Sequence, residues 1–190
     1  MPTCNADPTI ARASRPIWRI AAVIFLLPAT GASCSSRYPD ISGSAELLRA
    51  AALDQARKEH KQVFLLFTQP NCEWCRRYDA YHSDPEVMQI IGKHFVLLKI
   101  DVMETPGGQY MFPEYDDKET EGLPLFSILD SGGITLVSSA DSGQNIGFPT
   151  TPSEVDTYLK LMTSGCPSLQ SKEIDVLRRK LESHQPEKAG

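Results

Sequence analysis

Apolar positions along the chain fall into blocks with two different periods. Ala45, Leu48, Ala52 and Ala56 recur at helical spacing after Ser44, and the cations Arg57, Lys58, His60 and Lys61 close the block. A serine before the first periodic residue and basic residues in the last turn predict a helix capped by Ser44, with its apolar side on a sheet. Val63-Phe64-Leu65-Leu66-Phe67 has no polar position at all. It is too short and too uniformly apolar for a surface helix, and predicts a central strand buried on both faces. A second helix is expected from about Cys72 to Tyr81. Ser83-Asp84-Pro85-Glu86 then joins a cap to a first-turn proline and starts a helix through Val87, Ile90 and Ile91. Residues 95–102, rich in Val, Leu and Ile, predict a strand parallel to the first, reached by a right-handed helical crossover.

The second half is less regular. Residues 103–121 hold Pro106-Gly107-Gly108, a short helix near Tyr110, Pro113, and an acidic run of Asp116, Asp117, Glu119 and Glu121; an irregular segment with some helix is expected, its acids forming a solvated face. Pro124 to Asp130, the turn Ser131-Gly132-Gly133 and the run 134–139 predict a β-hairpin. Thr151-Pro152-Ser153-Glu154 is a capping box with Pro at its first helical position, launching a helix with a buried stripe of Val155, Tyr158, Leu159 and Met162 and a stop at Gly165. A final amphipathic helix over residues 168–182 uses Ile174, Leu177 and Leu181, and a disordered tail is expected after it. No internal repeat is visible.

The amino terminus follows another logic. Arg12, Arg15 and Arg19 precede an apolar stretch at 20–27, then Pro28 and small residues up to Ser33. A basic region, a short apolar core and a small-residue zone describe an export signal, and the apolar stretch is short for a bilayer span. The expected organisation is an export segment at 1–33, a linker at 34–43, one domain at 44–165, and a C-terminal helix and tail at 166–190. At 190 residues and 41% hydrophobic content one domain can build a core, and a formal charge of −5 with interspersed signs gives no basic patch for nucleic acid.

The five cysteines sort by this plan: Cys4 in the removed segment, Cys34 at its boundary, and Cys72, Cys75 and Cys166 in the folded part. Export implies an oxidising compartment, yet one close pair is no disulfide framework, so Cys72-Glu73-Trp74-Cys75 points to chemistry and Cys166 to a small buried hydrophobe. With Cys72 at a helix start, the dipole and the pairing lower its pKa below the free value of roughly 8.5, and the thiolate is the species that attacks disulfides. Glu73 opposes the thiolate while Arg76 and Arg77 favour it. Half a zinc site is the competing reading. It lacks a second Cys-x-x-Cys or His-x-x-x-His, and His60, His82, His94 and His184 are scattered and expected on the surface or at caps, so no metal site is expected.

Helix, strand, Cys-x-x-Cys helix, strand, proline-led hairpin and last helix is an order that resembles thioredoxin. The resemblance runs from about Ser44 to Met162. Gly122-Leu123-Pro124 stands where thioredoxin-like proteins place a cis-proline beside the active-site disulfide, and Gly147-Phe148 resembles the ending of exported members. The segment 56–67 is similar to bacterial extracytoplasmic thioredoxin-like proteins and to the C-terminal domain of the membrane thiol-reductant transporter. The implied fold is α/β, a mixed central sheet of about four strands flanked by helices, here with an extra C-terminal helix.

The resemblance also implies a cofactor-free thiol–disulfide oxidoreductase, with Cys72 attacking, Cys75 resolving, and Trp74, Leu123 and Pro124 forming the substrate groove, while Glu73 and Arg76 modulate. Protein thiols and disulfides would be its partners, a membrane thiol-reductant protein its possible donor, and a monomer its expected state. Cys34 after Gly31-Ala32-Ser33 resembles the lipid-acceptor cysteine of bacterial lipoproteins, which implies a periplasmic or otherwise extracytoplasmic protein held to a membrane. Two departures stand out. Asn71 replaces the tryptophan that precedes the first cysteine in thioredoxin, and Leu66 lies near the place of its buried acid. A redox-inactive binding module of the same fold is the alternative, and metal delivery through the pair a third reading.

Overall fold

A computed structural model describes residues 43–116, 122–141 and 144–185, all within one compact unit. The export segment, Cys34, nearly all of the linker and the tail after residue 185 lie outside the described residues, so the expectations placed on them are not addressed by it. The chain runs α1 (Ala45–Glu59), β1 (Gln62–Thr68), α2 (Glu73–Ser83), α3 (Pro85–His94), β2 (Phe95–Asp101), α4 (Gly108–Met111), a 3-10 turn over Phe112–Glu114, β3 (Leu125–Leu129), β4 (Thr135–Ser138), α5 (Pro152–Gly165) and α6 (Ser171–Ser183).

The four strands form one mixed sheet in the order β2-β1-β3-β4. β1 pairs in parallel with β2, Val63 opposite Val96 and Phe67 opposite Ile100, and antiparallel with β3, Leu65 opposite Ser127. β3 and β4 make the hairpin, with an irregularity at Ile128/Leu129. β1 is therefore central, and its alternation supplies both faces of the molecule. Phe64 and Leu66 pack with Phe126 and Ile128 beneath α2, α3, α5 and α6, whereas Val63, Leu65 and Phe67 pack with Leu125 and Leu129 beneath α1 and α4. Full burial of an aromatic or branched side chain is worth about 1.5–3 kcal/mol, so a strand with no polar position is stable only in such a sandwich of helices.

Helix ends follow the capping residues. Leu47 donates its N–H to Ser44 Oγ at 3.4 Å, Glu86 to Asp84 Oδ1 at 3.0 Å, and Thr151 and Glu154 exchange the reciprocal bonds of a capping box. α6 begins at Ser171, three residues later than expected. Ser168 is occupied instead by His94, whose Nδ1 lies 3.0 Å from its Oγ, and Glu173 takes the Gln170 N–H at 2.9 Å to start the helix. Gly165 is the last helical residue and no left-handed cap; a Cβ there would lie 2.7 Å from Ile128 Cδ1, so glycine is needed for close packing on β3.

Two histidines depart from expectation. His60 and His184 take C-cap positions, but His82 and His94 are buried, because α2 and α3 present them to the aromatic core and to α6. Of the acidic run, Asp116 is buried rather than solvated, while Asp117, Glu119 and Glu121 lie outside the described residues. Cys166 is fully buried, its Sγ 3.2 Å from Ser168 Oγ.

Candidate functional site

The site is assembled where β1 ends. After Thr68 the chain turns through Asn71, whose φ of 60° lies in the left-handed region that asparagine tolerates better than most residues. That turn delivers Cys72 to the N-cap of α2 in extended geometry, φ −84° and ψ 113°. Asn71, a departure from the family pattern by sequence, thus has a backbone reason. Cys72 and Cys75 are joined in a disulfide, their Cα atoms 5.2 Å apart, and the Cys75 N–H points at Cys72 Sγ from 3.1 Å. Cys72 is half-buried and Cys75 only 3% exposed, so Cys72 is the sulfur that a large partner can reach. On reduction, the helix N-terminus and the Cys75 N–H favour a thiolate at Cys72.

The chain returns to this point just before β3. The Leu123–Pro124 peptide is cis, and the Leu123 carbonyl oxygen lies 3.8 Å from Cys72 Sγ. Trp74, 41% exposed, faces Leu123 and Pro124 across a shallow groove of about 270 Å³ whose wall is completed by Ile146, Phe148 and Glu154. The residues expected to form the groove are therefore brought together.

The charges beside the pair are set out along α2. Glu73 binds Arg77 at 3.0 Å, and the Arg77 guanidinium also sits 5.4 Å from the centre of the Trp74 ring and donates to the His184 carbonyl at 3.3 Å. Arg76 is exposed and lines, with Glu73, Arg77, Ala80 and His184, a second depression. Glu73 thus has its counter-charge on the same helix, in a surface pair worth at most about 1 kcal/mol.

Beneath α2 lies a packed ring system. Tyr78, Tyr81, Phe126, Phe148 and Tyr158 meet edge to face or tilted, and burial raises the phenol pKa values of Tyr78, Tyr81 and Tyr158. His82 belongs to the same core, its ring 5.3 Å from that of Phe64; burial lowers its pKa to about 4, against the pull of Asp79. Leu66, 1% exposed, continues this apolar floor. Farther away, burial would raise the Glu173 pKa, but Lys93 at 2.7 Å, the Gln170 N–H and His94 at 3.0 Å outweigh it and hold the carboxyl at about 2.

One site residue was missed by sequence reasoning. Asn145 Nδ2 donates to the carbonyls of Gly122 at 2.7 Å and Pro124 at 2.9 Å, on either side of Leu123. Its signal was present: an asparagine two residues before a glycine is a turn former, and Gly147 indeed has φ 54°. Among the described residues no three His, Cys, Asp or Glu side chains are placed to hold a metal ion, and no helix is long and apolar enough to cross a membrane.

Known proteins match this geometry at the level of fold. A family model described as thioredoxin-like matches residues 48–131. No curated protein is similar enough to count as a match. Among solved structures, the disulphide isomerase from Xylella fastidiosa Temecula1 is similar with 22% identity and a TM-score of 0.52, over 66% of this chain and 96% of that one. The oxidised C-terminal domain of Neisseria meningitidis DsbD is similar with 28% identity and a TM-score of 0.40, over 50% of this chain and 82% of that one. A DsbH oxidoreductase is similar with 20% identity and a TM-score of 0.44, over 63% and 82%. With its mixed four-stranded sheet, its Cys-x-x-Cys disulfide at the start of α2 and the match over residues 48–131, the chain has a thioredoxin-like fold.

Proposed function

We propose that this chain is an extracytoplasmic thiol–disulfide oxidoreductase that acts on protein substrates through Cys72 and Cys75. One observation carries the reading: a half-buried Cys72 caps α2, is disulfide-bonded to a buried Cys75, and faces Leu123 beside cis Pro124. In the reducing direction the dithiol form acts. Cys72 gives up its proton, its thiolate attacks one sulfur of a substrate disulfide, that S–S bond breaks, and the other substrate sulfur leaves and takes up a proton. Cys75 then gives up its proton and attacks Cys72 Sγ, expelling the second substrate sulfur and closing the Cys72–Cys75 bond. Two electrons and two protons pass to the substrate, and no cofactor takes part. A dithiol donor reopens the pair, for which a membrane thiol-reductant protein is the proposed partner; run in reverse, the pair oxidises substrate thiols.

Trp74, Leu123 and Pro124 are proposed to seat the substrate chain, and Glu73 and Arg76 to set the charge beside Cys72. The test is insulin reduction by the full chain against Cys72→Ser. Loss of turnover in the variant supports the reading, and equal turnover sinks it. The apolar floor at Leu66 supports the alternative of a redox-inactive binding module, in which the pair would stay in one state across a glutathione series. Export rests on the basic and apolar segment before residue 34, with Cys34 as the proposed lipid acceptor. Mass spectrometry of the Cys34 peptide from membranes reads that directly, and an unmodified thiol there refutes the anchor.

A further inference from the structure

The hydrogen bonds of Asn145 can be assigned without ambiguity. Its Oδ1 receives the Gly147 N–H at 3.1 Å and lies 2.7 Å from Ser139 Oγ, while Nδ2 reaches two carbonyl oxygens. A backbone N–H can only donate and a carbonyl only accept, so both ends of the amide agree on one orientation. All four hydrogen-bonding positions of the amide are thereby used. The far end is anchored in the sheet, because Ser139 Oγ also accepts the Phe126 N–H at 3.0 Å and the Ile146 N–H reaches the Ser139 carbonyl at 3.1 Å.

The carbonyls of Gly122 and Pro124 are both held by Asn145, and that of Leu123, between them, lies 3.8 Å from Cys72 Sγ. We propose that Asn145 is a positioning residue for thiol–disulfide exchange: its amide holds both carbonyls so that the Leu123 peptide faces Cys72 and an incoming substrate chain. This rests on the reading of Cys72 and Cys75 given above. Asn145 touches no reacting atom and acts through Leu123, so its removal weakens capture of a protein substrate and leaves the intrinsic reactivity of Cys72 in place.

The experiment compares the full chain, Cys72→Ser, Asn145→Ala, Asn145→Asp and Ser139→Ala in insulin reduction, in reaction with a small aromatic disulfide that needs no groove, and in thermal unfolding. Asn145→Asp keeps the acceptor and loses the donor; Ser139→Ala weakens the buried anchor and leaves the two carbonyl bonds. Both Asn145 variants are expected to raise KM for insulin about tenfold or more with kcat and the small-disulfide rate retained, the size expected for two lost hydrogen bonds. Ser139→Ala is expected to lower the melting temperature without that rise in KM. An unchanged KM in Asn145→Ala, an equal loss toward the small disulfide, or the same KM rise in Ser139→Ala would each overturn the proposal while leaving the oxidoreductase reading intact. Equal insulin turnover by the wild type and Cys72→Ser would overturn both.

Discussion

His82 makes the stability of this protein dependent on pH in a window that can be isolated. Its ring lies in the core among Phe64, Tyr78 and Tyr81, its Nε2 has no hydrogen-bond partner among the described residues, and burial lowers its pKa from 6.5 to about 4. Asp79 favours the proton and Lys99 opposes it, and burial outweighs the difference. The unfolded chain binds a proton near pH 6.5 while the folded one refuses it until about pH 4. Stability is therefore whole above pH 6.5, falls as the pH drops toward about 4, and is flat with respect to this group below that. At about 1.36 kcal/mol per pH unit the complete loss is about 3 kcal/mol, of which about 2 kcal/mol is spent by pH 5.0. Urea unfolding of the oxidised protein at pH 7.5 and 5.0, alongside His82→Leu, reads this term. The other three histidines are common to both proteins and cancel in the difference. The variant is expected to equal or exceed the wild type at pH 7.5, since an unpartnered polar atom is replaced by an apolar group. Its advantage should grow by about 2 kcal/mol at pH 5.0. A wild-type-minus-variant difference that is the same at both pH values refutes the reasoning.

Three further outcomes follow from packing and backbone geometry. Gly165→Ala brings a Cβ within 2.7 Å of Ile128 Cδ1 and should destabilise by about 1–3 kcal/mol in urea, with Ile128→Val in the same chain recovering part of it. Asn71→Ala, forced to hold φ 60°, should cost about 1 kcal/mol by the same measurement, and Asn71→Gly should be close to neutral. Below pH 4.5 the Glu173 carboxyl, held at about 2, keeps stabilising the α3–α6 contact until the pH falls toward 2; Glu173→Gln should lose that protection, and an unchanged acid midpoint in the variant contradicts the assignment.

Much of the fold was legible because the signals were local. Val63 to Phe67 could only be a strand covered on both sides, Thr151-Pro152-Ser153-Glu154 could only start a helix, and β1, α2, α3 and β2 follow at the expected places. The mixed sheet of four strands and the extra helix match expectation, as does the pairing of Cys72 with Cys75 that Cys-x-x-Cys spacing makes possible. Gly165 shows the opposite case. Its place at the end of a periodic stretch suggested a turn, while its actual reason is a contact with β3 thirty-seven residues earlier, which no local pattern encodes.

What the sequence determined by itself was the set of elements and the pair of thiols, since period, caps and spacing depend on neighbours within a few residues. Tertiary structure alone decided which residues meet the pair. It buried His82 and His94, which by composition looked like surface residues, because the faces of α2 and α3 that carry them are covered by the sheet and by α6. And it carried Asn145, twenty-two residues beyond Leu123, back to the two carbonyls that turn Leu123 toward Cys72, because the β3–β4 hairpin folds the chain onto itself there.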